Sequence, residues 1–408
     1  MATEIRPVSM EEFVTFQRTN ALAFGRIPTD SELTEEAPVF EPERSLATFV
    51  DGQMVATTGI FTLTMTVPEA RTVPVAGVSW VGVLPTHRRQ GILTVLMRQQ
   101  LSDVRERGEP FAALLASEST IYGRYGYGVA TRLVDETIER AHATLRPQPP
   151  SAGRVRLLSH DEAQAPIRAI YEATRLRHPG EMSRNDAYWA VYLRNPTQPQ
   201  RGAGPRIYAI YEERGRPLGY VWYRVTSRWE NELPRNLLHV EELVGATPAA
   251  EHALWSFCLR MDLMDQIQIA HRPVEDPLRW MLADSRRLQL TAISDRLWLR
   301  FVDVVAAFES RSYPTRDRLV FDLHDPFLEE NSGTYQLEAG DGAATCSRVS
   351  ASADLSLSVD TLGSLFLGGF RWQTLARAGL IVEHTPGALN RADALFAASA
   401  PAWCATGF

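Results

Sequence analysis

The chain has 408 residues, 45% of them hydrophobic and 22% charged, which is typical of a folded protein with two or three domains. Its formal net charge of -7 argues against a nucleic-acid partner, because phosphate contacts require a basic surface. The three cysteines are scattered and lack metal-ligand spacing, which indicates a reducing compartment and no metal site. We find neither a signal peptide nor an apolar run long enough to span a membrane, and we expect a cytoplasmic protein.

The first part of the chain alternates between predicted strands and helices. A strand at residues 5–8 precedes a helix that opens on a capping box of Ser9 and Glu12. Acidic residues then cluster, namely Asp30, Glu32, Glu35, Glu36, Glu41 and Glu43. Such a cluster is usually a solvated helix face, although an acidic rim that attracts an amine-bearing substrate is the alternative. A hairpin of strands at residues 45–50 and 55–67 follows, joined by an Asp-Gly turn.

A basic turn links the next strand to a helix. Residues 78–84 form an apolar run that stops at Pro85, residues 86–91 read THRRQG, and apolar residues then recur at helical spacing as far as Gly108. The first backbone N–H groups of such a helix are unpaired, and with the helix dipole and two arginines they suit a pyrophosphate. The turn lacks the Lys-Ser/Thr of a Walker loop and the three glycines of a dinucleotide fingerprint.

The turn resembles the acyl-CoA motif of the GCN5-related N-acetyltransferases (GNATs), Arg/Gln-x-x-Gly-x-Gly/Ala. Arg88, Gly91 and Leu93 occupy its three positions, and Leu93 replaces the usual small residue. A predicted strand at residues 111–116 follows, and residues 122–127 then match the spacing Tyr-x-x-x-Gly-Phe/Tyr that GNATs commonly carry after this strand. The two motifs in this order indicate a GNAT domain in the first part of the chain.

The same order of elements repeats in the second part of the chain. A returning strand at residues 131–139 and a linker at residues 146–153 are predicted to end the first domain. Strands and helices then recur at residues 155–158, 161–175, 207–211, 218–226, 236–244 and 252–264. The basic turn is missing here, since residues 245–251 contain no arginine and Glu251 would repel a pyrophosphate. We therefore predict a degenerate GNAT domain that does not bind CoA.

The remaining residues are richer in predicted strands and resemble the sterol carrier protein fold. Predicted strands and short helices lie at residues 297–304, 305–308, 319–323, 333–337, 354–359, 362–367 and 372–378. The predicted fold class is α+β, with tandem GNAT domains, the first active and the second degenerate, followed by a sterol-carrier-protein-like α/β domain. The predicted domain boundaries are 1–147, 154–297 and 298–408.

This combination of domains resembles the enhanced intracellular survival (Eis) acetyltransferases of actinobacteria over essentially the whole chain. Residues 84–91, LPTHRRQG, and residues 117–128, SESTIYGRYGYG, match the local sequences of that family, with Gln90 where a third arginine is usual. The resemblance implies transfer of acetyl from acetyl-CoA to amines of aminoglycosides, often at several positions, or to lysines of peptides. It also implies antibiotic resistance as the biological role and a homohexamer as the assembly.

The resemblance implies where acetyl-CoA binds. The pantetheine arm would contact the backbone of Val81, Gly82 and Val83. The pyrophosphate would bind the basic turn and helix start, formed by Arg88, Arg89, Gln90, Gly91, Ile92, Leu93 and Thr94. Ser117 and Glu118 would lie at the far end of the cofactor site.

The resemblance also implies two catalytic groups. Tyr122 would protonate the leaving thiolate as the general acid, and the C-terminal carboxylate, here that of Phe408, would be the general base. A carboxylate can take a proton from an ammonium group, directly or through water, before the amine attacks the thioester. An α-carboxyl has a pKa of about 3.3–3.7 in peptides, so it is ionised at neutral pH and also attracts the cation.

Two other functions remain as hypotheses. One is acetylation of protein lysines, which a test with free antibiotics as acceptors would separate from the leading hypothesis. The other is a non-catalytic protein in which the sterol-carrier-like domain holds a lipid and the GNAT halves are scaffold. The presence of Arg88, Arg89 and Gly91 in one half only argues against the second, because a chain that does not bind CoA has no need of them.

Overall fold

The computed structural model describes residues 3–147, 152–194, 202–340 and 342–408, so residues 148–151 of the predicted linker lie outside the described residues. The chain divides into two compact units. The first comprises Met1–Thr131, His178–Val191 and Asp295–Phe408, and the second comprises Arg132–Arg177 and Tyr192–Ser294. In the described ranges, no helix is long and apolar enough to cross a lipid bilayer.

Strands and helices are both present throughout the described chain, in agreement with the predicted α+β class. The strands are β1 (Thr3–Pro7), β2 (Leu46–Val50), β3 (Gln53–Val67), β4 (Arg71–Val83), β5 (Phe111–Leu115), β6 (Gly128–Val129), β7 (Arg132–Glu139), β8 (Arg154–Leu158), β9 (Ile207–Glu213), β10 (Arg216–Thr226), β11 (Trp229–Glu230), β12 (Leu233–Pro234), β13 (Asn236–Gly245), β14 (Met264–Arg272), β15 (Gln289–Asp295), β16 (Leu297–Phe301), β17 (Asp317–His324), β18 (Gly333–Gly340), β19 (Ala343–Arg348), β20 (Leu355–Ser358) and β21 (Ile381–Glu383). The α-helices are α1 (Phe13–Ala23), α2 (Asp30–Glu36), α3 (Ile92–Glu106), α4 (Ser119–Tyr122), α5 (His160–Arg175), α6 (Asp186–Tyr192), α7 (Pro248–Leu259), α8 (Leu278–Met281), α9 (Val304–Glu309), α10 (Val359–Leu365), α11 (Trp372–Arg377) and α12 (Ala388–Leu395).

The first unit contains a seven-stranded sheet in the order β1-β2-β3-β4-β5-β16-β6. Strands β4 and β5 are parallel, and α3 is the connection between them. The helix packs through the apolar residues that recur at helical spacing, and four of them are fully buried: Leu96, Met97, Leu101 and Val104. This packing places the start of α3 at the end of β4.

Two strands lie in different sheets from those predicted. Strand β16, which is predicted to open the third domain, lies between β5 and β6 in the first sheet, where Leu299 pairs with Ala113. Strand β7, which is predicted to return to the first sheet, pairs instead with β14, where Ile138 lies opposite Ile267. These two predictions are wrong because an apolar or alternating pattern specifies a strand but not its neighbours.

The second unit contains a seven-stranded sheet in the order β15-β7-β14-β13-β10-β9-β8. Its parallel strands β13 and β14 are connected by α7, as β4 and β5 are by α3, so the predicted repeat of the order is observed. Helix α7 ends at Leu259 rather than at the predicted residue 264, and Met264 begins β14, a strand that we did not predict.

Residues 304–408 form a five-stranded sheet in the order β19-β18-β17-β20-β21, against which α9 to α12 pack. Aromatic rings fill the space between this sheet and its helices. The ring centroids of Phe308 and Phe321 lie 5.6 Å apart, those of Phe321 and Trp372 lie 5.5 Å apart, and those of Trp372 and Phe396 lie 4.9 Å apart. Strands β19 and β21 and helix α12 are absent from the sequence prediction.

Candidate active site

Strands β4 and β5 separate partway along their length. They pair through Val75–Gly77 and Phe111–Ala113, whereas β4 continues as far as Val83. A parallel pair that parts in this way leaves backbone groups of both strands available to a ligand at the open end. Gly77 is thus the last residue of β4 that pairs with β5 before the two strands separate.

A bulge sets the direction of the end of β4. Thr57 pairs with Gly82 and Gly59 pairs with Ser79, so two residues of β4 lie opposite one residue of β3. One of the two is Trp80, whose φ is 51°. Its ring is held by three aromatic neighbours at centroid distances of 4.8 to 6.0 Å, namely Phe16, Phe40 and Phe61.

A cleft of about 870 Å³ lies beyond the bulge, between the ends of α1 and β4, the start of α3 and the segment around α4. It brings together Tyr122 and all but one of the predicted cofactor residues: Val81, Gly82, Val83, Arg88, Arg89, Gly91, Ile92, Leu93, Thr94, Ser117 and Glu118. The exception is Gln90, whose side-chain amide donates to the carbonyl of Thr86 at 3.5 Å.

The cleft also has lining residues that we did not predict. They are Ala23, Phe24 and Gly25 after α1, Pro85 and His87 in the basic turn, and Thr120, Ile121, Arg124 and Tyr125 around α4. Arg124 and Tyr125 lie within the tyrosine motif, so the motif could have indicated them as lining residues. Nothing in the sequence links the end of α1 to a turn more than sixty positions away, because that contact depends on how α1 packs across β3 and β4.

The start of α3 gives the cleft a positive character. Gly91 precedes the helix with φ of 80°, a conformation that glycine adopts without strain. The first N–H groups of α3 have no acceptor within the helix and lie at its positive end. The charged lining residues are three arginines and one glutamate, namely Arg88, Arg89, Arg124 and Glu118. This combination suits an anionic group such as a pyrophosphate.

Arg88 joins two walls of the cleft. Its guanidinium donates to the carbonyl of Val83 at 3.2 Å and to the carbonyl of Ala23 at 2.5 Å. The side chain therefore holds the end of α1 against the end of β4. Arg89, with φ of 61°, is exposed on the same turn.

Tyr122 is buried at the inner side of the cleft. It is the last residue of α4, its side chain is only 6% exposed, and its ring makes an edge contact with Tyr127 at 6.0 Å. Burial raises the pKa of the Tyr122 hydroxyl to about 12, and a hydrogen bond with the Ser117 side chain opposes this only in part. The hydroxyl is therefore protonated at neutral pH and can donate a proton.

Phe408 lies outside this lining. Its ring sits against Gly77, since a Cβ added to Gly77 would be 3.2 Å from Cδ2 of Phe408. The preceding residues are buried in the first unit, from Trp403 to Thr406. The last residue of the sequence therefore lies at the point where β4 and β5 part.

Part of the acidic cluster is engaged in local structure. Glu32 accepts the N–H of Thr29 at 2.7 Å as part of the capping box of α2. Glu41 accepts the N–H of Thr62 at 2.7 Å. For these two carboxylates the interpretation as structural groups is favoured, and their negative charge still adds to the field around the end of α1.

The corresponding turn of the second unit is built differently. The hydroxyl of Thr247 caps α7 by accepting the N–H of Ala250 at 3.1 Å. The carboxylate of Glu251 lies 3.5 Å from the guanidinium of Arg272. The N–H of Ala250, which would otherwise be available to a phosphate, is thus already hydrogen-bonded to a side chain, and the acidic residue Glu251 lies in the first turn of α7.

Comparisons with known proteins agree with this arrangement of domains. Models of the acetyltransferase (GNAT) domain match residues 4–130 and residues 180–301, and a model of the sterol carrier protein domain matches residues 304–405. The fold and the matched domains define a tandem GNAT acetyltransferase with a sterol carrier protein domain.

Individual relatives identify the family within this class. An uncharacterized N-acetyltransferase of Streptomyces avermitilis is 35% identical over 413 residues, covering 100% of both chains. The N-acetyltransferase Eis of Mycobacterium tuberculosis is 36% identical over 343 residues, covering 83% of this chain and 82% of that protein. The crystal structure of Eis1 from Mycobacterium abscessus matches with a TM-score of 0.88 and 33% identity, covering 99% of this chain and 100% of that one. The chain belongs to the Eis family of N-acetyltransferases.

Proposed function

We propose that this acetyltransferase modifies amines of aminoglycoside-type polycationic small molecules, at several positions, with acetyl-CoA as the donor. The observation that carries the proposal is the cleft, which is lined by Tyr122, three arginines and the start of α3, in the same unit in which the ring of Phe408 packs against Gly77. A buried tyrosine and the end of the chain thus both lie in the first unit. Membership of the Eis family supports the transfer chemistry.

In this proposal acetyl-CoA binds along the cleft. The pantetheine arm follows the backbone of Val81, Gly82 and Val83. The pyrophosphate binds the basic turn and the start of α3, with Arg89 as the exposed cation and Arg88 as the cation that also holds the wall. The residues of the helix start that contribute are Gly91, Ile92, Leu93 and Thr94, while Gln90 shapes the turn. Ser117 and Glu118 lie at the far end of the cofactor.

The proposed reaction uses the two predicted catalytic groups. The α-carboxylate of Phe408 takes a proton from the substrate ammonium, and the neutral amine attacks the thioester carbonyl. A carbon–nitrogen bond forms, the carbon–sulfur bond breaks, and the departing thiolate takes the proton of Tyr122. The second proton of the nitrogen restores Tyr122, so the products are an N-acetyl amine, CoA with a free thiol and one proton.

The proposed acceptor follows from charge. Acidic residues of α2 and the segment after it lie in the same unit as the cleft, and the protein carries a net charge of -7. A polycationic antibiotic is attracted by such a field, and several amines of one molecule can reach a wide cleft in turn. A homohexamer and a cytoplasmic location complete the proposal and rest on membership of the family.

The test is acetyl-CoA turnover, measured as release of free thiol, with a panel of aminoglycosides and with lysine-containing peptides of matched charge. We expect turnover with the antibiotics, and mass spectrometry of the products counts the acetyl groups on each molecule. Turnover with peptides alone would replace the proposal by protein-lysine acetylation. Binding of acetyl-CoA without turnover of any amine would overturn the proposal. Native mass spectrometry of the same sample tests the hexamer.

A further inference from the structure

The last residues of the chain are gathered by one buried carboxylate. Glu181 is 1% exposed, and its carboxylate accepts the N–H of Ala405 at 2.9 Å and the N–H of Thr406 at 3.2 Å. The hydroxyl of Thr406 donates to the same carboxylate at 2.6 Å. A fourth donor is the N–H of Met182, at 3.1 Å. Hydrogen bonds to a charged acceptor are about twice as strong as neutral ones, so this group is a firm anchor for the chain end.

Other polar contacts complete the anchor on both sides of Glu181. The hydroxyl of Thr406 also accepts a hydrogen bond from Nε of Arg184 at 3.0 Å. The hydroxyl of Tyr188 donates a hydrogen bond to the carbonyl of Gly407. Nη2 of Arg296 donates to the carbonyl of Ala405 at 3.1 Å. The backbone from Ala405 to Gly407 is therefore bonded residue by residue, whereas most chain ends fray.

The anchor is tied to the strand that runs beside β4. The N–H of Thr66 donates to the carbonyl of Glu181 at 2.8 Å, and the N–H of Ser183 donates to the carbonyl of Thr64 at 2.8 Å. Strand β3, which contains Thr64 and Thr66, pairs with β4 so that Phe61 lies opposite Gly77. We call residues 403–408 the tail. Its hydrogen bonds to Glu181 and the contact of the Phe408 ring with Gly77 therefore both depend on strands β3 and β4.

We propose that Glu181 is a positioning residue, which fixes the tail so that the α-carboxylate of Phe408 is held at the separation of β4 and β5; this inference rests on the proposed role of that carboxylate. Glu181 touches neither substrate nor cofactor in this scheme. It acts through Ala405 and Thr406, three and two residues before the end of the chain. A displacement of about 1 Å in a catalytic group can lower a rate about 100-fold, so the anchor matters to turnover.

The first experiment compares Glu181→Gln and Thr406→Val with the unaltered chain. Glutamine at position 181 places an amide donor near the N–H groups of the tail, and valine removes the bridging hydroxyl while keeping the shape of threonine. We expect kcat to fall about 10- to 100-fold in Glu181→Gln and less in Thr406→Val, with the KM for acetyl-CoA changed less than about twofold. Thr406→Ser keeps a hydroxyl and is expected to retain most activity.

The matched control is Glu109→Gln. Glu109 is also a buried carboxylate of the first unit, 6% exposed, and among the described residues its side-chain hydrogen bond is with the guanidinium of Arg44, at 2.5 Å, and not with residues 403–408. Its replacement disturbs a buried ion pair, and a general effect of lost stability would appear in this variant as well. We expect kcat of Glu109→Gln to remain within about threefold of the unaltered chain at a temperature where the variant is folded.

A second readout follows the tail without catalysis. Carboxypeptidase releases Phe408 from molecules whose tail has detached, so the release rate under native conditions reports the anchor. We expect release at least about tenfold faster in Glu181→Gln and Thr406→Val than in the unaltered chain and Glu109→Gln. Equal release in all four proteins would overturn the inference.

A double variant distinguishes positioning from a separate role. If Glu181 acts through the carboxylate of Phe408, then Glu181→Gln costs nothing further in a chain that lacks Phe408. If Glu181→Gln lowered kcat equally in the full-length chain and in the chain that lacks Phe408, the inference would be overturned, while the assignment of the Phe408 carboxylate as the base would stand. Equal turnover by the unaltered and the shortened chain would overturn the proposed base, and the positioning role with it.

Discussion

Cδ2 of Phe408 lies 3.2 Å from the position that a Cβ on Gly77 would occupy, so the ring of the last residue packs directly on the backbone of β4. Gly77 pairs with Ala113, and this is the last pair before β4 and β5 separate. A larger residue at position 77 would also meet Cδ1 of Leu63 at 2.6 Å. The close approach of the ring thus depends on a glycine at the point where the strands part.

The first prediction concerns the carboxylate of Phe408. Deletion of Phe408 removes the ring and moves the carboxylate back by one residue, and we expect kcat to fall about 10²- to 10⁴-fold, the range for loss of a general base. Phe408→Ala keeps the terminal carboxylate at the same position in the chain, so we expect a smaller fall in kcat, about tenfold. Thiol release with a fixed aminoglycoside measures both.

A chain extended by one glycine is the control for the register of this carboxylate. It keeps the ring of Phe408 but moves the carboxylate by about 3.5 Å, and we expect it to behave like the deletion. Full activity in the extended chain would assign the base to another group. Circular dichroism confirms that each variant is folded.

The second prediction concerns Tyr122. Tyr122→Phe removes the proton donor, and we expect kcat to fall about 10²-fold or more with little change in the KM for acetyl-CoA. The control is Tyr313→Phe, which removes another buried hydroxyl, one that donates to the carbonyl of Phe308 at 2.9 Å and lies outside the cleft lining. Equal activity in Tyr122→Phe and Tyr313→Phe would contradict the assignment.

The raised pKa of Tyr122 also predicts a pH dependence of stability. The pKa is about 12 in the folded protein and about 10 in the unfolded chain, so the folded state keeps a proton that the unfolded state loses. This group therefore lowers the free energy of unfolding as pH rises from about 10 to 12 and has no effect below that window. Denaturant titrations across this range should show a smaller decline in Tyr122→Phe than in the unaltered chain.

The third prediction concerns the basic turn. Arg89→Gln removes an exposed cation at the start of α3, and we expect the KM for acetyl-CoA to rise about 5- to 20-fold with a smaller change in kcat. The effect should shrink as salt is added, because charge attraction at an exposed site is screened. Arg377→Gln, at the exposed last turn of α11, is the control and should leave the KM unchanged.

The fourth prediction concerns the buried ion pair of Arg300 and Asp325. Both side chains are fully buried and 2.7 Å apart, and burial lowers the pKa of Arg300. Asp325→Asn leaves an uncompensated cation, so we expect the free energy of unfolding to fall by about 3–5 kcal/mol. Asp317→Asn breaks the more exposed pair with Arg391 and should cost about 1 kcal/mol or less. Denaturant titration of both variants checks this difference.

Much of the cleft could be predicted from the sequence because its features are local. The apolar strand, the basic turn with Gly91 and the helix after it are consecutive, and each leaves a short-range pattern of period or turn chemistry. The spacing around Tyr122 is local as well. These patterns carry the family resemblance, which implies twelve cofactor residues on these segments, and all but Gln90 line one cleft.

Contacts between distant segments could not be predicted. Arg88 was expected to face a phosphate, and its guanidinium also bonds to the carbonyl of Ala23, at the end of a helix far away in the sequence. Glu181 has no motif around it, yet its carboxylate accepts three hydrogen bonds from Ala405 and Thr406 near the end of the chain. Its importance appears only when the chain end has been brought to it.

The sequence by itself determined many of the elements and their order, the basic turn in the first half only, and the resemblance to one family. The tertiary structure alone decided that β16 completes the first sheet, that β7 joins the second, and that Phe408 reaches Gly77. The physical reason is that strand and helix patterns record the period of burial along the chain, whereas the choice of neighbour depends on contacts that close loops of more than a hundred residues.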